Sequence, residues 1–236
     1  MSNIINEHEG FTQEISREFF RSVYSYMVGA LAVSGIIAYW AGTPEFFQQY
    51  FITASGGISP LFYVIAFAPM GLGLLIQMAY KRFSLGALMG LYLLFSVLMG
   101  LSLGSIFLVY SGASIAITFF VSAGAFAGMA ILGYTTKTDL TKMGSLLYMA
   151  FIGIFIAGIV NIWMKSEMMS FVISVIGVFV FTGLTAYYMQ KLKDMSSDSD
   201  LSGLDRSKLA IVGGLILYIT FINLFMSLLR IMGSRD

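Results

Sequence analysis

The chain has 236 residues, 58% of them hydrophobic and 11% charged, with a net charge of +1 and a mean hydropathy of +0.87. A soluble domain carries about 25% charged residues, so the composition is that of an integral membrane protein, and the near-zero charge gives nucleic acid no electrostatic footing. With no Cys and a single His (His8), disulfides, thiol nucleophiles and zinc or haem centres are excluded, and no cofactor or metal site is expected.

Residues 1–22 are expected to form a polar N-terminal segment, amphipathic near Phe11 to Phe20 and too polar for a cleavable signal. Residues 23–232 hold seven apolar segments, and 233–236 are a short tail. The segments are Val23 to Trp40, Pro60 to Tyr80, Ser84 to Tyr110, Ala113 to Gly133, Met143 to Trp163, Met168 to Gln190 and Leu209 to Met232. Each is about as long as the ~20 residues needed to cross the hydrocarbon core. Backbone groups in lipid must be satisfied within the segment, so all seven are predicted helices. Between the first two lies a loop with Pro44, Glu45 and the aromatic run Phe46, Phe47, Tyr50 and Phe51. That run suits either a short interfacial helix or an ordinary loop. The fold class is all-α: one polytopic bundle without a linker to divide it.

Orientation follows from Lys and Arg. With the N-terminus inside and seven crossings, ten of the thirteen basic residues fall on the inner side. The outer three are Lys165, Arg230 and Arg235. A re-entrant seventh segment would move two arginines inside, but the length and continuity of Leu209 to Met232 favour a crossing.

That last segment carries its small and polar residues, Gly213, Thr220, Asn223, Ser227 and Arg230, on one stripe of a helical wheel. In lipid such a stripe turns toward other helices or a cavity. Simple helix–helix hydrogen bonding explains Thr220, Asn223 and Ser227 as well as a functional wall does. The third span places Gly86, Gly90, Gly100 and Gly104 within about 40° of one another. The fourth adds Gly124 and Gly128. These six are read as helix-packing positions within one chain, with dimerisation as the alternative.

The chemistry is sparse. The chain has no phosphate-binding Gly loop with Lys, no HExxH and no GxSxG. Every Asp and Glu sits in a predicted loop or tail, whereas proton-coupled transporters and cation channels usually bury at least one acid. An enzyme is not expected. Lys137 and Asp139 lie in the inner loop Thr135 to Lys142, as a solvated loop with a helix cap at Thr138 or Asp139, or as a contact for a cytoplasmic partner. The sixteen Met residues are spread over the spans as adaptable packing rather than a copper path.

Four stretches carry a resemblance: Phe19 to Tyr24 (FFRSVY), Ala68 to Gly71 (APMG), Gly133 to Leu140 (GYTTKTDL) and Leu217 to Phe225 (LYITFINLF). They resemble the Bax inhibitor-1 family, also called the transmembrane Bax-inhibitor-motif family, whose bacterial members are YccA-like. The resemblance implies six helices around the seventh. It also implies a slow pH-sensitive Ca2+ leak in some members, and in others cell-death suppression or restraint of a membrane-bound AAA protease. The family attributes the leak to two aspartates. Their patterns, Tyr-Asp-x-Gln and Tyr-x-Asp-Phe-x-Asn, fall on Tyr187 to Gln190 and Tyr218 to Asn223, so Tyr188 and Thr220 stand where the aspartates would be. Tyr188, Thr220 and Asn223 are thus the candidate pore or latch positions, with Tyr188 and Thr220 expected to pair through their hydroxyls. The resemblance suggests a protein of the bacterial cytoplasmic membrane with a cation-leak, ion-homeostasis or stress-response role, its aspartate pair replaced; the alternative is a non-conducting regulator that binds and restrains a membrane-bound protease or other membrane partner. Its partners would be the lipid bilayer, Ca2+ or another cation, or a membrane-bound protease.

Overall fold

The computed structural model describes residues 2–196 and 202–234, with side chains from residue 16 onward. Its helices are α1 (Ser2–Ala41), α2 (Pro44–Phe51), α3 (Pro60–Ala79), α4 (Leu85–Leu103), α5 (Gly112–Thr135), α6 (Thr141–Met164), α7 (Glu167–Ser196) and α8 (Gly203–Met232). A 3-10 turn, Gly104–Leu108, extends α4. All but α2 are long and apolar enough to cross a membrane. The starts follow from local chemistry. Thr43, Ser59, Ser84 and Ser111 each accept a backbone N–H at the first turn of α2, α3, α4 and α5. Pro44 and Pro60 follow two of these caps, where a missing N–H costs nothing.

Two expectations change in detail, and one open alternative is decided. Residues 1–22 are not a separate segment, because α1 runs unbroken from Ser2 and already buries Phe19 and Phe20. The aromatic run after the first span is a helix. Phe51 of α2 meets Phe46 and Phe47 of the same helix edge-on, and Phe62 of α3 likewise. Lys191 to Lys208, the polar stretch between the last two apolar segments, is largely helical, since α7 reaches Ser196 and α8 begins at Gly203; residues 197–201 lie outside the described residues, as does Arg235.

In α8, 78% of the apolar window is buried, against 6–33% for the other six long helices. Its small and polar stripe predicted such burial. Its thirty residues contain no break, so a re-entrant hairpin has no place to turn.

Contacts divide the chain into two units, Met1–Val109 with Ser196–Tyr218, and Tyr110–Met195 with Ile219–Asp236. In the first, α4 lies on α1 through small residues. A β carbon at Gly100 would come within 2.7 Å of Ser34 O and Ile37 Cβ, and one at Gly104 within 3.3 Å of Ala41. Close backbone approach of this kind drives association where lipid removes the hydrophobic contribution. The first half of α8 docks on α1 in the same way, with Gly214 against Tyr26 Cβ and Val23 O. Tyr92 donates to the Tyr26 carbonyl at 3.1 Å, and the rings of Phe95 and Tyr218 meet edge-on at 5.5 Å.

In the second unit, α7 is the meeting line. Gly133 of α5 abuts the Ala186 backbone, Gly144 of α6 abuts the Tyr187 ring, and Leu147 of α6 covers Gly183. Gly177 of α7 faces Ser227 Oγ of α8, where a β carbon would come within 2.6 Å. Phe221 of α8 packs edge-on against Phe119 and Phe126 of α5, at 5.4 and 5.7 Å.

Candidate functional site

Helix α7 places Tyr188 where the resemblance puts an aspartate. Its hydroxyl is hydrogen-bonded to that of Tyr148 on α6, and the two rings meet edge-on at 6.1 Å. The expected Tyr188–Thr220 pair is therefore corrected: the partner of Tyr188 comes from α6. The physical reason is reach, because a long phenol on α7 extends to the facing aromatic of α6, where a carboxylate would end short of it. Thr220 is buried in α8, at 3% exposure.

Asn223 is half-buried and turns back on its own helix. Its Nδ2 donates to Ile219 O at 2.8 Å, and Ser227 Oγ donates to Asn223 O at 2.8 Å. Ser122 and Thr185 do the same toward Thr118 O and Phe181 O. Hydroxyls bonded four residues back satisfy themselves within a helix. They leave lone pairs but no charge at depth. Among the described residues, no three acids or histidines gather where a metal ion could be held.

The loop Thr135 to Lys142 is held by α7. Gln190 Oε1 accepts from Leu140 N–H at 2.8 Å, and its Nε2 donates to Thr138 O at 2.8 Å. One amide thus closes both sides of the loop. Lys193 Nζ donates to Tyr134 O at 2.8 Å and lies 5.0 Å from the centre of that ring. Asp139 Oδ1 accepts from Thr141 N–H at 2.9 Å and so caps α6 from two residues before it. Those bonds to Thr141, side chain first and then backbone, hold its carboxyl below the usual 3.8. Lys137 is exposed. Residue reading did not give Gln190 and Lys193 this role. The signal was present in their position, one and two turns beyond Tyr187 at the end of α7, level with the loop.

The six packing glycines divide. Gly100 and Gly104 lie against α1, as expected. Gly86, Gly90, Gly124 and Gly128 are corrected as packing positions within the described chain. All four are exposed, and a β carbon at any of them would meet nothing within 4 Å. A shared stripe on a wheel does not require one shared neighbour: α1 crosses α4 only along the half that holds Gly100 and Gly104.

Comparison with known proteins agrees with this architecture. Residues 16–236 match the family model described as inhibitor of apoptosis-promoting Bax1. The chain is 41% identical over 219 residues to the inner membrane protein YbhL of Escherichia coli K12, covering 92% of each chain. It is 42% identical over 226 residues to a protein of Caulobacter vibrioides, covering 93% of this chain and 89% of that one. It is also 32% identical over 234 residues to a membrane protein of Streptococcus pyogenes serotype M1, covering 98% and 100%. With seven membrane-length helices, a buried last helix and a family match over nearly its whole length, the chain is an integral membrane protein of the Bax inhibitor family.

Proposed function

We propose that this protein is a non-enzymatic regulator in the bacterial cytoplasmic membrane, N-terminus inside, that acts by binding another membrane protein and does not run an acid-gated Ca2+ leak. The observation that carries this reading is the Tyr148–Tyr188 hydroxyl pair. A carboxylate pair attracts a divalent cation and shares a proton. Two phenols bonded to each other are neutral near pH 7 and give a cation no charge to exchange for its hydration shell. Support for a partner comes from Gly86, Gly90, Gly124 and Gly128, whose open faces admit a second helix at close range. Helix α6, with 6% of its window buried, is the most accessible membrane face. A membrane-bound protease is the partner class to test first, and the Lys137–Asp139 loop is the soluble contact to test with it.

The test is in-membrane photocross-linking from positions 86, 90, 124 and 128. A specific membrane-protein adduct, lost when Gly90 or Gly128 is replaced by Leu, supports the reading. Lipid adducts alone from all four positions refute it.

Family membership favours a second reading, in which a residual cation leak passes along neutral groups near Asn223 and serves ion homeostasis or a stress response. Flux that Asn223→Leu abolishes would select this reading over the first.

A further inference from the structure

A cleft of about 520 Å3 opens in the second unit, where α6 turns into α7 and where α8 ends. Its walls include Tyr110, Asn161, Lys165, Glu167, Ser170 and Arg230. The site is built from two pinned corners. At the first, Asn161 Oδ1 accepts from Ser166 N–H at 3.0 Å, and its Nδ2 donates to Ser170 Oγ at 2.6 Å, tying α6 to α7. Lys165 N–H donates to Asn161 O, and Lys165 closes α6 with φ of 50°, in the left-handed region that favours glycine. At the second corner, Ser234 N–H donates to Ser114 Oγ at 3.0 Å, Ser111 N–H donates to Ser234 O at 3.2 Å, and Gly233 lies against the Tyr110 ring. These bonds fix the last turn of α8, which carries Arg230.

Three charged side chains therefore face one cleft from separately anchored elements. All are exposed, and among the described residues none has a hydrogen-bond or ion-pair partner. Lys165 and Arg230 are two of the three basic residues that the inside-positive count assigns to the outer side. Next to the charges the wall becomes apolar: Ile162 is 63% and Phe171 55% exposed.

We propose that this cleft binds an amino-phosphate headgroup, the phosphate held by Lys165 and Arg230 and the primary ammonium by Glu167. Two cations and one anion match a ligand with one phosphate and one ammonium group. A bare divalent cation meets two like charges, and an unsubstituted phosphate meets the Glu167 carboxylate. A trimethylammonium group has no N–H to donate to that carboxylate, so a primary amine is selected over choline. Ile162 and Phe171 give the glyceride portion an apolar path out of the cleft. A membrane lipid or a water-soluble amino-phosphate ester offers the same headgroup chemistry.

The test is native mass spectrometry of the full chain released from nanodiscs of phosphatidylethanolamine, phosphatidylglycerol or phosphatidylcholine, with soluble glycerophosphoethanolamine as a fourth arm. Wild type should retain phosphatidylethanolamine about tenfold over the other two lipids, as one charge-assisted contact predicts. Glu167→Gln should remove the preference over phosphatidylglycerol, and Arg230→Gln should weaken both. Retention of the soluble ester as strong as that of the lipid keeps the site and assigns it a water-soluble ligand. Equal retention of all three lipids, a preference for phosphatidylglycerol, or variants that match wild type would overturn the proposal. Size-exclusion profiles establish that the variants fold, since each removes an exposed group without a partner.

Discussion

Gly133 and Ala186 touch backbone to backbone: a β carbon on Gly133 would overlap the Ala186 carbonyl oxygen, so α5 and α7 approach as closely as two helices can. Ala186 itself is fully buried. Backbone cannot give way as a side-chain tip can, so Gly133→Ala should destabilise the fold by about 1–3 kcal/mol. Gly128→Ala is the matched control on the same helix. It meets open space, and removing a glycine should be neutral or stabilise by up to about 1 kcal/mol. Thermal unfolding of both variants in detergent, followed by fluorescence-detected size exclusion, separates the two outcomes. Equal melting temperatures would remove the contact.

Gln190 bridges Thr138 O and Leu140 N–H across the Thr135–Lys142 loop. Gln190→Ala should free the loop, and trypsin should cut after Lys137 about five- to thirtyfold faster, equivalent to about 1–2 kcal/mol for two hydrogen bonds. Gln190→Glu keeps the acceptor for Leu140 and loses the donor to Thr138, so it should fall between. Unchanged cleavage in Gln190→Ala would mean that the loop is held elsewhere.

Asp139 adds a pH dependence whose sign is fixed. Its folded pKa lies below 3.8, so folding favours the charged form. The contribution is present above about pH 4 and is lost as pH falls through the folded value. The Thr141 amide, corrected for intrinsic exchange, should keep its protection above about pH 4 and lose it as pH falls further in wild type. Asp139→Asn should show a flat profile across that window. A wild-type profile equally flat would place the cap elsewhere.

The hydroxyl bond between Tyr148 and Tyr188 is testable as a pair. Tyr148→Phe and Tyr188→Phe should each cost about 0.5–1.5 kcal/mol, and the double variant little more than either alone. Strictly additive losses would mean that the two hydroxyls act independently.

Much of this structure was legible in the residues. Long apolar runs with capped starts permit only helices in lipid, and α8 showed its buried role through small and polar residues on one stripe. The boundaries that moved were those where hydropathy and helicity part company. Ser2 to Arg21 is polar yet continues α1, and Lys191 to Ser196 is polar yet continues α7. Tertiary neighbours were harder to read. A wheel cannot tell which half of α4 meets α1, so Gly86 and Gly90 looked equivalent to Gly100 and Gly104. Gly133, Gly144, Gly177 and Gly183 make close contacts without forming any stripe. The partner of Tyr188 depended on how far a phenol reaches from α7, which no alignment of patterns states. The cleft at Lys165 and Arg230 joins residues far apart in the chain and required the turn at Asn161 to be seen in place.

Tyr188, bonded to Tyr148, stands at one of the two positions where the resemblance puts the acids of a Ca2+ site. Ca2+ entry into dye-loaded proteoliposomes at several pH values, with wild type beside the Tyr188→Asp/Thr220→Asp double variant, tests it most directly. Wild type should stay at the level of empty liposomes at every pH, and the double variant, folded by size exclusion, should gain pH-dependent flux. A wild-type flux that changes with pH, or a folded double variant that conducts nothing, would contradict it.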